Sequence, residues 1–184
     1  MRRFVALLCV VALFATAACT DESASANRAA PVPKPVSVAP AAAAGGACQL
    51  LDWDMIKAAL GLTFAVAAAA QQGNTFTCVT QGRGASLPDL MLAVTATTAD
   101  AAIYTSTVQP KGATAVPGVG KVAFSLITAP GAEAGPGVEV GWLAGNNRII
   151  DLRLRLATKA TPQDAQAAVP KLVELAKKVD LSSL

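Results

Sequence analysis

The chain of 184 residues contains no histidine. Ser-His-Asp and Cys-His nucleophilic sites as usually built are therefore excluded, because both need an imidazole to take the nucleophile's proton. No lysine has a serine three residues before it, so serine–lysine catalysis of the S-x-x-K kind is missing as well. Metal ions find little to bind. Beyond residue 48 the closest acidic pair is Asp52 and Asp54, and residues two apart on a helix do not face each other. Asp52 reads instead as a helix cap. The segment "PGVGKVAF" (117–124) fails as a phosphate loop, since Val122 stands where Ser or Thr must follow the lysine. No cofactor and no metal site follows from the sequence.

Aromatic residues are scarce at 4%, and Trp53, Tyr104 and Trp142 are too scattered to form a ligand platform. There is no block of Lys and Arg. The formal charge of +3 owes much to Arg2 and Arg3; the remaining basic residues nearly balance the 12 acidic ones. The clustered positive charge of a nucleic-acid binder is absent. The longest apolar run, Phe4 to about Ala18, falls short of the roughly 20 residues that span a bilayer.

That run has another reading. A short cationic head, an apolar stretch and small residues at its end are the parts of a secretory signal peptide, here residues 1–18. Ala15-Thr16-Ala17 fits the A-x-A site of ordinary signal peptidase, which would release a secreted protein. Thr16-Ala17-Ala18-Cys19 resembles the lipobox of bacterial lipoproteins, which implies cleavage before Cys19 and a diacylglyceryl group on its sulfur. The cysteines weigh between the two. Cys9 leaves with the leader, and Cys19, Cys48 and Cys78 remain. An odd cysteine in an exported protein needs a partner or a chemical fate. If Cys48 and Cys78 pair, lipidation accounts for Cys19; two buried free thiols are the alternative, less suited to an oxidising compartment.

Residues 19–47 then form the lipidated N-terminus and a Pro/Ala-rich linker, "TDESASANRAAPVPKPVSVAPAAAAGGA" after the cysteine. Such a composition buries too little surface to offset its ordering entropy, and its prolines favour extended chain that acts as a spacer. Residues 48–184 suffice for a single domain. Within it, Asp52 caps a short helix that Gly61 ends, with Ile56, Ala59 and Leu60 as its apolar stripe. Segments 64–70 and 75–80 read as strands around Gln72-Gly73-Asn74, a hairpin signal. Residues 90–96 form a third strand, and Thr98 opens a helix to about Val108. Residues 110–120 are a loop, and "KVAFSLIT" is a strand with Val122, Phe124 and Leu126 on one face.

The segment "VEVGWLAGNNRIIDLRLRL" reads as a hairpin. Opposed residues share a face, so matching Val138, Val140 and Trp142 with Leu154, Leu152 and Ile150 requires a three-residue loop, Gly145-Asn146-Asn147, with Asn147 left-handed. Glu139 then opposes Arg153. Asp151, Arg153 and Arg155 fall on the outward face, and the alternation reads as ordinary solvation, with anion binding as the alternative. Thr161-Pro162 starts a last helix with Ala165, Val169, Leu172, Ala176 and Val179 buried, kinked near Gln166 by Pro170. The order predicts an α+β fold: an antiparallel sheet of about five or six strands with helices packed on one face.

Cys48-Gln49-Leu50-Leu51, Leu60-Gly61, Cys78, Pro117-Gly118-Val119-Gly120 and Ala123-Phe124 occur in the order seen in an actinobacterial family of small exported lipoproteins of unknown function, which the chain resembles. The resemblance implies the Cys48–Cys78 disulfide and supports the α+β fold; it supplies no catalytic residues. The expectation is a non-enzymatic interaction or sensing domain, lipid-anchored on the outer face of the cell membrane. Its partner would be an envelope protein or a wall component. The alternative is a carrier for a small apolar ligand or lipid.

Overall fold

Asp52, the expected cap, turns its carboxylate back onto the N–H groups of Asp54 and Met55 and starts α1 (Trp53–Leu60). Gly61, left-handed at φ 73°, ends it. The computed structural model describes residues 38–182; the leader, Cys19 and the linker as far as Ser37 lie outside the described residues. Six of the strands are those read from the sequence: β1 (Val66–Gln72), β2 (Thr75–Gln81), β3 (Asp89–Ala96), β5 (Val122–Thr128), β6 (Gly137–Leu143) and β7 (Arg148–Arg155). The seventh, β4 (Thr114–Ala115), lies in the expected loop and pairs with Ser125 and Phe124. Two residues are too few for an alternation to show, so five or six strands become seven. The single sheet is antiparallel throughout, in the order β1-β2-β3-β7-β6-β5-β4. The fold is α+β.

The β6–β7 hairpin has the expected register, with Val138 opposite Leu154, Val140 opposite Leu152, Trp142 opposite Ile150 and Glu139 opposite Arg153. The Ala144 N–H donates to the Arg148 carbonyl at 2.8 Å, leaving a three-residue loop with Asn147 at φ 58°. A slip by one residue would turn every large apolar side chain to the wrong face, and the loop prevents it. α3 (Pro162–Lys178) opens with a capping box between Thr161 and Asp164 and runs on through Pro170. Ala165, Ala168, Leu172, Leu175 and Ala176 are its buried side chains. Val169 and Val179, expected in that stripe, are only half-buried.

α1, α3 and two short 3-10 turns, Ala41–Ala44 and Gly46–Leu50, cover one face of the sheet. Leu90, Leu92, Val94, Val138, Val140, Ile150, Leu152 and Leu154 meet them in the main core. Ala41 and Ala47 are buried in the same core, so the folded chain reaches back past the expected boundary at Cys48. The sulfurs of Cys48 and Cys78 lie at bonding distance, with Cα atoms 4.9 Å apart.

Helical chain is not confined to that face. The expected helix from Thr98 is instead α2 (Ala101–Ile103), capped by Asp100, followed by a wider π turn over Tyr104–Val108. Thr105 Oγ1 bonds back to the Ala101 carbonyl, a competition with the backbone that makes such residues poor in helix interiors. This segment lays Tyr104 against Phe124 and Leu143, with Val122, Leu126 and Ile149 around them. Because strand side chains alternate between faces, these residues belong to the face opposite the main core. The alternation of Val122, Phe124 and Leu126 marks a second, smaller core.

Candidate functional site

Beside that small core, the second face of β2, β3, β7 and β6 is polar. The register lines up Val79, Met91, Arg153 and Glu139 in one row across the sheet. Gln81, Asp89, Arg155 and Gly137 form the next row on one side, and Thr77, Ala93, Asp151 and Gly141 the row on the other. Arg153 bridges two acids: its Nε lies 3.2 Å from Glu139 Oε2 and its Nη2 2.6 Å from Asp151 Oδ2. Arg155 clasps Asp89 with two nitrogens, Nε donating at 2.8 Å to Oδ1 and Nη2 to Oδ2.

Exposure separates the two charges. The side chains of Asp89 and Glu139 are 3% and 10% exposed, those of Arg153 and Arg155 48% and 59%. The carboxylates lie beneath and the guanidinium groups on top, so solvent meets the guanidinium groups first although the acids, with Asp151 at 23% exposure, outnumber the arginines. Of the residues expected on the wet face, Arg153 and Arg155 are exposed and Asp151 is half-buried. Burial pushes the carboxyl groups of Glu139 and Asp151 above the usual range, with the Asp151 charge adding to the effect on Glu139 and Arg153 opposing it on both.

Tyr104 completes the cluster from the π turn. Its ring centroid lies 6.3 Å from that of Phe124, and its hydroxyl hangs over Gly141. A Cβ at Gly141 would come within 2.5 Å of the Phe124 ring and 3.0 Å of Tyr104 Oη, so the close approach needs glycine. Tyr104 Oη and Asp151 Oδ1 are buried without a hydrogen-bond partner among the described residues. Burial, and then the negative charges of Asp151 and Glu139, push the phenol well above its ordinary value.

Tyr104 is the chain's single tyrosine, so the tyrosinate absorbance band reports on it alone. An alkaline titration of the folded protein will show no tyrosinate until the protein unfolds. A raised folded-state value means that the unfolded chain releases this proton first, so stability falls as pH rises through about 10. Smooth ionisation near pH 10 with the far-ultraviolet dichroism intact would show that the hydroxyl is solvated.

Two clefts flank the arginines. One, of about 320 Å³, is lined by Val79, Met91, Asp89, Arg153 and Arg155. The other, of about 170 Å³, has Thr128, Gly137 and Glu139 on its far side. Among the described residues, Nη1 of neither arginine has a hydrogen-bond partner. The arrangement offers two planar cations held from below, an apolar floor, and free donors above.

Compared with known proteins, the chain matches no family model, no curated protein and no solved structure. Among the described residues no group of three or more His, Cys, Asp or Glu is placed to hold a metal ion. Of the residues singled out from the sequence, Asp52 is a cap, Cys48 and Cys78 meet under the 3-10 turns, and Cys19 lies outside the described residues. The structure brings Arg153 and Arg155 together with Asp89, Glu139, Asp151 and Tyr104. The pairing of Glu139 with Arg153 was present in the hairpin register; nothing local pointed to Asp89 or Tyr104.

Proposed function

We propose that the protein is a lipid-anchored, extracytoplasmic interaction domain without enzymatic activity, whose Arg153–Arg155 face contacts a carboxylate-bearing component of the cell envelope. The observation that supports this is the inversion of exposure at the site, with buried acids holding half-exposed arginines. A guanidinium fixed from one side loses little further freedom when a carboxylate docks on the other, and its fork suits that group. The Cys19 lipobox supplies the anchor and residues 20–37 the spacer.

The carrier reading has less support. Leu90, Leu92, Ile150, Leu152, Leu172 and Leu175, which fill the space between sheet and helices, are fully buried in one continuous core.

Crosslinking in native membranes tests the proposal. The wild-type protein will fractionate with the membrane and recover a specific acidic partner, and Cys19→Ser will release it. Arg153→Lys/Arg155→Lys, which keeps the charge but not the planar fork, will lower recovery about tenfold, an effect on the order of 1.4 kcal/mol. Equal recovery by the lysine variant removes this face from the interaction.

A further inference from the structure

The two edges of the sheet are unlike. At one, β4 has two residues and offers almost nothing to pair with. At the other, β1 is seven residues long, Val66-Ala-Ala-Ala-Ala-Gln-Gln72, with Ala68 to Gln72 all exposed. Long edges are ordinarily blunted by charge, proline or a bulge along their length, because a free row of N–H and C=O groups invites another strand. β1 has no charge and no proline, and no charged side chain occurs anywhere from residue 58 to residue 82.

The direction of its free groups follows from the turn. Gln72 and Thr75 close a two-residue loop with Gly73 at φ 59°, and such a closing pair exchanges both hydrogen bonds. Alternation then turns Val66, Ala68, Ala70 and Gln72 toward β2; it lapses just before the strand, where the Ala65 N–H also donates to Gln81. Ala67, Ala69 and Gln71 point their N–H and C=O groups away from the sheet. Outside the β1–β2 ladder, they have no backbone partner among the described residues.

We infer that β1 pairs with β1 of a second copy of this chain, antiparallel about a two-fold axis at Ala69. That axis sets Ala69 against its own copy and Ala67 against the second copy's Gln71, so each outward donor meets an outward acceptor. A two-fold contact must be self-complementary, and this strand is: it is neutral, its middle is alanine, and no like charges are brought together. Beside its first half lies an apolar cleft of about 330 Å³ lined by Pro40, Ala43, Ala44, Val66 and Ala67. The same register carries the tip of the second copy's hairpin, Gln72-Gly73, alongside that cleft.

The test uses the full chain in sedimentation equilibrium with residue-resolved hydrogen exchange. The two-fold places Ala68 opposite the second copy's Ala70. Ala68→Lys/Ala70→Lys therefore sets like charges across the interface, and Ala68→Lys/Ala70→Glu sets opposite ones. Both sites are exposed in the monomer and face the uncharged Val79 and Thr77, so both variants keep the fold. The wild type will dimerise with slow exchange at Ala67, Ala69 and Gln71. The lysine pair will weaken the dimer at least about tenfold relative to the Lys/Glu pair, since opposed charges on neighbouring strands attract and like ones repel. A wild type that stays monomeric to about millimolar concentration, equal association of the two variants, or a monomer with those three amides protected by some other occupant would each overturn the inference.

Discussion

Replacing Cys48 and Cys78 together by alanine will lower the stability of the domain by about 3–4 kcal/mol, the chain-entropy value for a loop of this length. The two cysteines are 30 residues apart, and both are fully buried. The loop they close holds all of α1 and β1, and β1 is an edge strand of the sheet. Without the link, the 3-10 turn Gly46–Leu50 loses its fixed attachment to β2. Ala41 and Ala47 then hold their places in the main core by small side chains alone. Urea unfolding will show a lower midpoint and a somewhat steeper slope, because the chain without the link unfolds to a more open state, and the melting temperature will fall by about 10 °C. Because the turns press on the start of the sheet, amides of β1 and β2 will exchange faster than those of β6 and β7. A loss below about 1 kcal/mol would mean that packing, and not the link, holds this end of the chain.

Much of the frame was legible because its determinants are local. Asp52 and Gly61 bracket α1, Thr161, Pro162 and Asp164 start α3, and the apolar alternation of β6 and β7 admits a single register with a three-residue loop. What could not be read depends on distant chain. The partner strand of β7 is β3, so Asp89 meets Arg155 across 66 residues of sequence. Glu139 and Asp151 alternate with apolar residues as solvent-facing positions do. Only the crossing of residues 101–108 over the second face, with Tyr104 at its centre, makes part of that face an interior. β4 is too short to carry a pattern, and the burial of Ala41 and Ala47 depends on what packs above them; alanine itself gives no sign of it. The sequence thus described the main core, while the candidate site arose on the face where short-range reading expects water.

Arg155→Ala will destabilise the domain by about 2–3 kcal/mol, and removing Asp89 as well will restore part of the loss. Among the described residues, the β3–β7 pairing is the only place where the N-terminal strands join the C-terminal ones in the sheet. Asp89 and Arg155 form its terminal pair. Asp89 is 3% exposed and takes its hydrogen bonds from Arg155. Breaking a buried ion pair from one side costs about 3–5 kcal/mol because an uncompensated charge stays behind. The half-exposed arginine puts this pair at or below the low end of that range, since solvent already screens one partner. In Asp89→Ala/Arg155→Ala the stranded carboxylate is gone, so the double variant will be more stable than Arg155→Ala. That order of stabilities is opposite to additive loss, and a double-mutant cycle in urea reads it directly. If the arginine single variant loses less than about 0.5 kcal/mol, or the double variant is the weakest of the set, Asp89 is solvated well enough to do without its partner. The guanidinium groups above it would then be ordinary surface charges, and the case for a preorganised face would fall with them.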